Sequence, residues 1–195
     1  IDDRRTEITM VSGEVDIEDL IPNEESILTL THNGYIKRLP ADTYRLQNRG
    51  GRGVTGLAKK DDDFAEYMFT CTSHEYVLFF SNLGRVYRLK AYQVPEGSRT
   101  SKGLNIVNIL PLTENEHITA MLHVQSMEDD LNLCMLTRKG IIKRTLLSAY
   151  NTARKGGIIA IDLDEDDELC FTALTTGEDE LVIATKKGMG YRIGE

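Results

Sequence analysis

The chain has 195 residues, 41% of them apolar and 28% charged, and a formal net charge of −8. These values are ordinary for a globular protein, and the length suits one domain able to bury a sizeable core. No apolar run approaches the ~18 residues of a membrane-spanning helix and no signal-peptide pattern opens the chain, so no membrane partner is expected.

Residues 1–19 read as a linker or N-terminal strand segment, and a chain that opens on Ile1 rather than Met reads as a piece of something longer. Residues 20–195 read as a single domain of repeats. The apolar run SILTL leads into Thr31-His32-Asn33-Gly34 and then YIKRL. The same order recurs as YVLFF, Ser81-Asn82-Leu83-Gly84 and RVYRL, then as NLCML, Thr137-Arg138-Lys139-Gly140 and IIKRT, and last as ELVIA, Thr185-Lys186-Lys187-Gly188 and MGYRI. The turn glycines recur at an interval of about fifty residues, the spacing of blade-like strand repeats that need neighbours to bury their faces.

Each unit reads as a β-hairpin, at about 27–39, 76–89, 131–145 and 180–193. The first runs are short, apolar and rich in strand formers. The tetrad supplies the turn, with glycine free to take positive φ and Ser/Thr able to bond the local backbone. Four residues past each turn glycine stands an arginine: Arg38, Arg88, Arg144 and Arg192. Its stem is expected to pack at the strand end while its head reaches water.

A second element follows the first three hairpins. Arg52-Gly53, Lys102-Gly103 and Lys155-Gly156 each lie downstream of a tyrosine, Tyr44, Tyr92 and Tyr150, and Arg49 has a counterpart in Arg99. The strongest copy is QNRGGRG (47–53), a nearly bare, doubly charged loop. No long helix is expected; LSAYNTARK (147–155) suits at most a short helical turn. The fold class is therefore all-β and propeller-like, built from ~50-residue hairpin repeats.

Charge alternates with the repeat. The basic residues fall into four blocks: Lys37, Arg38, Arg45, Arg49, Arg52, Lys59 and Lys60; Arg85, Arg88, Lys90, Arg99 and Lys102; Arg138, Lys139, Lys143, Arg144, Arg154 and Lys155; and Lys186, Lys187 and Arg192. Of the 23 lysines and arginines only Arg4 and Arg5 lie elsewhere. The negative average argues against nucleic acid, but the recurrence favours a polyanion-binding track along one region of successive blades. Its binding is expected to weaken steeply with salt, because cations that neutralise phosphates release counterions. The acidic stretches DDD (61–63) and DEDDE (164–168) read as solvated loops facing elsewhere.

No catalytic or metal constellation is present. The histidines His32, His74, His117 and His123 make no HExxH and do not pair with cysteines at metal spacing. GMGYRIG (188–194) has the wrong spacing for a dinucleotide loop, and DLDEDDELCFTA (162–173) has Asp167 and Ala173 where a calcium loop needs glycine and glutamate. Cys71, Cys134 and Cys170 are scattered through apolar runs and read as reduced core thiols. The chain is expected to bind rather than catalyse.

QNRGGRG, with DDRRTEI (2–8), DIEDLIPNEE (16–25), THNGYIKRLP (31–40), DDDF (61–64) and SRTSKGLNIVNILPL (98–112), resembles the C-terminal domain of bacterial DNA gyrase A subunits over essentially the whole chain. The resemblance implies a β-pinwheel, a propeller variant, typically six-bladed, in which blades exchange strands; four hairpins would make this copy incomplete. It implies a non-catalytic module that wraps double-stranded DNA with a positive hand, so that an ATP-dependent type II topoisomerase can introduce negative supercoils. Carried over by position, Gln47, Arg49, Gly50, Gly51, Arg52 and Gly53 form the DNA-binding box, with Asn48 where the family usually has a basic residue. The backbone track implied beside it is Lys37, Arg38, Arg45, Arg85, Arg88, Lys90, Arg99, Lys102, Arg138, Lys139, Lys143, Arg144, Arg154 and Lys155. No cofactor is expected in this piece, since ATP and Mg2+ would be used elsewhere in an A2B2 assembly with gyrase B subunits and a second gyrase A chain. The implied location is the bacterial cytoplasm, at the nucleoid.

Three other readings stand beside it. The paralogous C-terminal domain of topoisomerase IV lacks an intact box. A propeller-type protein-interaction platform predicts apolar or mixed-charge blade faces. An RGG-type RNA binder would be low-complexity, whereas this arginine–glycine loop occurs once in a folded repeat.

Overall fold

The structure, a computed structural model, describes residues 17–43, 63–152, 154 and 156–195. In chain order the strands are β1 (Glu25–Thr31), β2 (Tyr35–Pro40), β3 (Ala65–Thr72), β4 (Tyr76–Ser81), β5 (Arg85–Lys90), β6 (Leu104–Asn105), β7 (Ile118–Val124), β8 (Asn132–Thr137), β9 (Ile142–Leu146), β10 (Ile158–Ile159), β11 (Leu169–Thr175), β12 (Glu180–Ala184) and β13 (Gly190–Gly194). Helical structure among the described residues is limited to short 3-10 turns, one of them at Leu147–Tyr150. The all-β, propeller-like expectation holds.

Each repeat hairpin is the heart of one sheet: β1–β2, β4–β5, β8–β9 and β12–β13 pair antiparallel. The turn chemistry is the same in every copy. Gly34, Gly84, Gly140 and Gly188 take φ of 78°, 71°, 91° and 80°, a region that costs other L-residues ~1–2 kcal/mol. The first residue of each tetrad accepts the amide that opens the second strand: Thr31 Oγ1 from Tyr35 N, Ser81 Oγ from Arg85 N, Thr137 Oγ1 from Ile141 N and Thr185 Oγ1 from Met189 N.

The sheets are completed by strands from farther along the chain. The first has the order β3-β1-β2-β6 and the second β10-β5-β4-β7, while the third is β11-β8-β9. β6 follows the second hairpin yet pairs with the first, Ile36 opposite Leu104 and Tyr35 opposite Asn105. β10 follows the third hairpin and pairs with the second, Val86 opposite Ile158 and Arg85 opposite Ile159. The linker of one repeat is thereby stitched onto the hairpin of the repeat before it. This is the strand exchange of a pinwheel.

The core lies in the seams between sheets. Alternate residues of a strand face opposite sides, and YVLFF is apolar throughout because both of its faces are covered. Val77 and Phe79 join Leu28, Leu30, Ile36 and Met121 in one cluster. Leu78 and Phe80 join Leu133, Met135, Tyr150 and Leu169 in the other. Each such side chain contributes about 1.5–3 kcal/mol on burial.

The acidic loops depart from the expectation of free solvation. Asp63 and Asp167 are buried, and each caps the neighbouring hairpin turn. Asp63 Oδ1 accepts from Asn33 N at 3.1 Å, and Asp167 Oδ1 accepts from Lys139 N at 3.0 Å. In the second sheet Glu116 does related work, accepting from the Thr113 amide and hydroxyl and from the Tyr87 hydroxyl at 2.8, 2.9 and 2.9 Å. A turn amide with no strand partner needs an acceptor, and these carboxylates supply it.

Candidate nucleic-acid interface

The box residues Gln47, Arg49, Gly50, Gly51, Arg52 and Gly53 lie outside the described residues, as do Arg45 and Lys155. The remaining track residues divide into cations that hold the seams together and cations left facing solvent.

Lys37 belongs to the first group, and its placement corrects the expectation of a solvent-facing track lysine. It is 1% exposed. Its Nζ donates to Ser98 O, Arg99 O and Ser101 O at 3.3, 2.8 and 3.0 Å. An ammonium has three donors, and all are consumed by backbone carbonyls. Burial pushes its pKa below the ordinary lysine value.

Arg38 is also drawn inward. Its Nε donates to Val94 O and its Nη1 to Ser26 Oγ, both at 3.3 Å, and its Nη2 lies 3.7 Å from Glu96. Its backbone bonds the same linker, N to Pro95 O and O from Gly97 N, each 3.0 Å. The equivalent Arg88 donates from Nη1 to Asn151 Oδ1 at 2.5 Å. In both seams, the arginine past the turn glycine reaches the linker of the following repeat. Lys90 is occupied as well: Nζ donates to Glu18 Oε1 at 2.9 Å and His74 O at 2.8 Å, and sits 3.8 Å from the Tyr76 ring.

The turn cations Arg138 and Lys139 lie against the acidic loop. Arg138 pairs with Glu168 and donates to Asp166 O, and Lys139 Nζ donates to Glu165 O. Lys143 Nζ donates to Ala160 O at 2.9 Å. Arg85 donates from Nη2 to Gly156 O at 2.7 Å and lies over Tyr87. Arg99, Lys102, Arg144 and Arg154 are exposed.

The strand exchange gathers half-buried and exposed cations at the seams. Arg88 and Lys90 from the second hairpin and Arg154 from the third repeat's linker line one cleft of about 730 Å³, together with Tyr76, Thr152 and Gly156. Across the first seam Lys102 sits 3.6 Å from the ring of Tyr35. The lysine's hydrogen bond and charge lower the phenol pKa. Cation–π contact of this kind fixes a flexible cation while leaving its charge available.

The glycine alignment in the third repeat shifts by one residue. Gly157, not Gly156, matches Gly103: each precedes the exchanged two-residue strand, with φ of 69° and 90°. A Cβ at Gly157 would lie 2.6 Å from the Tyr87 ring and one at Gly103 2.5 Å from Ile36 O, whereas Gly156 is open. These glycines let a linker backbone lie flat on the preceding blade. Sequence reasoning missed the tyrosine platforms. Tyr76 was reachable, because the hairpin register sets it opposite Lys90; Tyr35 meets Lys102 only through the exchange.

The sequence profile of the family described as "DNA gyrase C-terminal domain, beta-propeller" matches residues 25–72, 75–125, 131–175 and 179–195. The DNA gyrase A subunit of Clostridium acetobutylicum is 48% identical over 194 residues, covering 100% of this chain and 23% of that protein. Its Halalkalibacterium halodurans counterpart is 45% identical with the same coverage. The chain thus spans about a quarter of these relatives' length. The crystal structure of the C-terminal domain of DNA topoisomerase IV superposes with a TM-score of 0.76 at 27% identity, covering 89% of this chain and 53% of that one. A DNA gyrase A C-terminal domain superposes at 0.64 and 27% identity, covering 87% and 54%.

Proposed function

This chain belongs to the DNA gyrase C-terminal domain family, and from that premise we propose that it binds double-stranded DNA along its basic seams and bends it into a positive-handed wrap. The observation that carries the reading is the exchange itself. Arg85 and Arg88 of one blade touch the linker of the next repeat at Gly156 and Asn151, and that linker brings Arg154 into the cleft of Arg88 and Lys90. Cations of the second and third repeats thus line one cleft, and the reading extends that cleft to a path over successive blades.

Such a path suits wrapping. Bending 20–30 bp of DNA by 40–90° costs on the order of 1–6 kcal/mol, more than one loop supplies. Repeated phosphate contacts over several blades offset that cost without reading bases. The box Gln47, Arg49, Gly50, Gly51, Arg52 and Gly53 adds the densest copy of the loop. The module acts without catalysis of its own, inside a larger ATP-dependent enzyme with gyrase B subunits and a second gyrase A chain, in the bacterial cytoplasm. Among the described residues no helix is long and apolar enough to cross a membrane.

The better superposition on the topoisomerase IV domain supports a second reading, a topoisomerase IV component. Identity of 45–48% to gyrase A subunits over the whole chain favours gyrase. The test is to relax a circular plasmid with a topoisomerase while the chain is bound and read the linking change after deproteinisation. A positive shift supports the wrap; no shift at saturating chain removes it.

A further inference from the structure

Residues 97–103 form a loop that carries two exposed cations, Arg99 and Lys102, at the seam between the first two blades. The loop is built around a side chain from another repeat. Ideal Cβ atoms at Gly97 and Gly103 would each lie 3.2 Å from Lys37 Cβ, so the two glycines bracket the lysine stem. At the stem's end the ammonium meets the carbonyls of Ser98, Arg99 and Ser101. The loop's own bonds are few: the Ser101 amide and hydroxyl both donate to Ser98 O, at 3.1 and 2.8 Å. No ion-pair partner of Lys37 occurs among the described residues. A buried ammonium without a carboxylate is expensive unless its hydrogen bonds are complete, and here the loop backbone completes them.

We propose that Lys37 is a positioning residue for DNA binding: its ammonium holds this loop on the first blade so that Arg99 and Lys102 face the duplex, and it does not itself contact phosphate. The inference rests on the DNA-binding reading above. It assigns the lysine of YIKRL to the seam and the neighbouring repeat's loop to the phosphates. In blade two Tyr87, three residues past its turn glycine as Lys37 is past Gly34, likewise underlies a linker glycine, Gly157, although its hydroxyl donates to Glu116 rather than to the linker backbone.

The test uses the full chain and a short linear duplex, with affinity measured by fluorescence anisotropy over a salt series. Each phosphate contact contributes a slope of about 0.9 in log K against log salt. Lys37→Met keeps the stem and removes the three donors. It is expected to lower the slope by about 1.8, the value for losing two contacts, although one lysine was changed. Arg99→Ala with Lys102→Ala should give the same loss, and adding Lys37→Met to that pair should change nothing further. A loss of about 0.9 that adds to the pair makes Lys37 a phosphate contact and overturns the proposal; so does an unchanged slope. Gly103→Ala displaces the same loop while keeping every cation, and it decides the matter if Lys37→Met does not fold: a two-contact loss supports positioning and a wild-type slope refutes it. Amide exchange of the loop, measured without DNA, separates the two readings. If wild-type chain binds DNA without salt dependence, the DNA reading fails; if Lys37→Met leaves loop protection unchanged, the clamp fails by itself.

Discussion

Arg88 and Asn151 meet across the seam between the second blade and the linker of the third repeat, Nη1 to Oδ1 at 2.5 Å. The guanidinium also lies 4.9 Å from the centre of the Tyr76 ring. One face is thus held by the seam, and the cation still lines a basic cleft. Arg88→Ala should weaken DNA binding uniformly across sequences and reduce the salt slope by about 0.9. Asn151→Ala keeps the charge, so its slope should stay at the wild-type value. Anisotropy over a salt series checks both, and equal effects of the two variants would reduce Arg88 to a seam pin.

Arg49→Ala with Arg52→Ala should impair DNA bending, because it removes both cations of the box. The far-ultraviolet circular dichroism should not change, since the turn hydroxyls and glycines of the hairpins lie in the tetrads, outside the box. Fluorescence transfer between the ends of a labelled duplex reads the bend. Bending unchanged in the double variant removes the box from the mechanism.

Acid should unfold the chain through its turn-capping carboxylates. At Asp167 burial opposes ionisation, but the Thr137 hydroxyl and the Lys139 and Glu168 amides outweigh it, and the carboxyl is held below the ordinary aspartate range. At Glu116 burial again opposes ionisation, and the Ser81 hydroxyl, Thr113 amide and Tyr87 hydroxyl outweigh it. A lowered folded pKa contributes stability that is present above the unfolded value, about 4, and is lost as pH falls through the folded one. Melting temperature should therefore be flat from neutrality to about pH 5 and then drop. Glu116→Gln should lower the neutral plateau and make the acid limb shallower; an acid limb identical to wild type would exclude Glu116 from it.

Glycine substitutions should separate backbone conformation from packing. Gly84 takes φ of 71°, and a Cβ there would lie 2.5 Å from Ile161 O. Gly140 takes φ of 91° with nothing within 4 Å. Gly140→Ala should cost about 1–2 kcal/mol from the left-handed backbone alone. Gly84→Ala should cost more, since the exchanged segment must also move. Urea unfolding of both variants measures the difference, and equal costs would show that the close approach carries no strain.

The Cys71 thiol is pushed up to about 12 by burial, with Glu75 adding to the shift and Arg38 opposing it. A thiol reacts as its thiolate. Cys71 should resist maleimide labelling at mildly alkaline pH in the folded chain, and mass spectrometry should find it labelled once urea unfolds the protein. Labelling at equal rates in both states would contradict its burial.

The sequence by itself determined what is local and repeated. Tetrads such as Thr31-His32-Asn33-Gly34 set the hairpins, because a positive-φ glycine and a hydroxyl that caps the next strand are contained within five residues. YVLFF announced an apolar strand, though not that both of its faces are covered. Alternating charge blocks announced a basic side to the repeat. Only the tertiary structure decided which cations face outward. Lys37 looks like a solvent-facing strand lysine, yet a loop some sixty residues later covers it, and a period-two pattern says which side a residue takes but not what lies on that side. Asp63 and Asp167 look like members of solvated acidic runs, yet each is the one carboxylate that a distant turn amide requires. The stitching of Gly103 onto Ile36 and of Gly157 onto Tyr87 joins segments from different repeats. Strand partners that far apart are chosen by burial in three dimensions, and no local sequence rule encodes that choice.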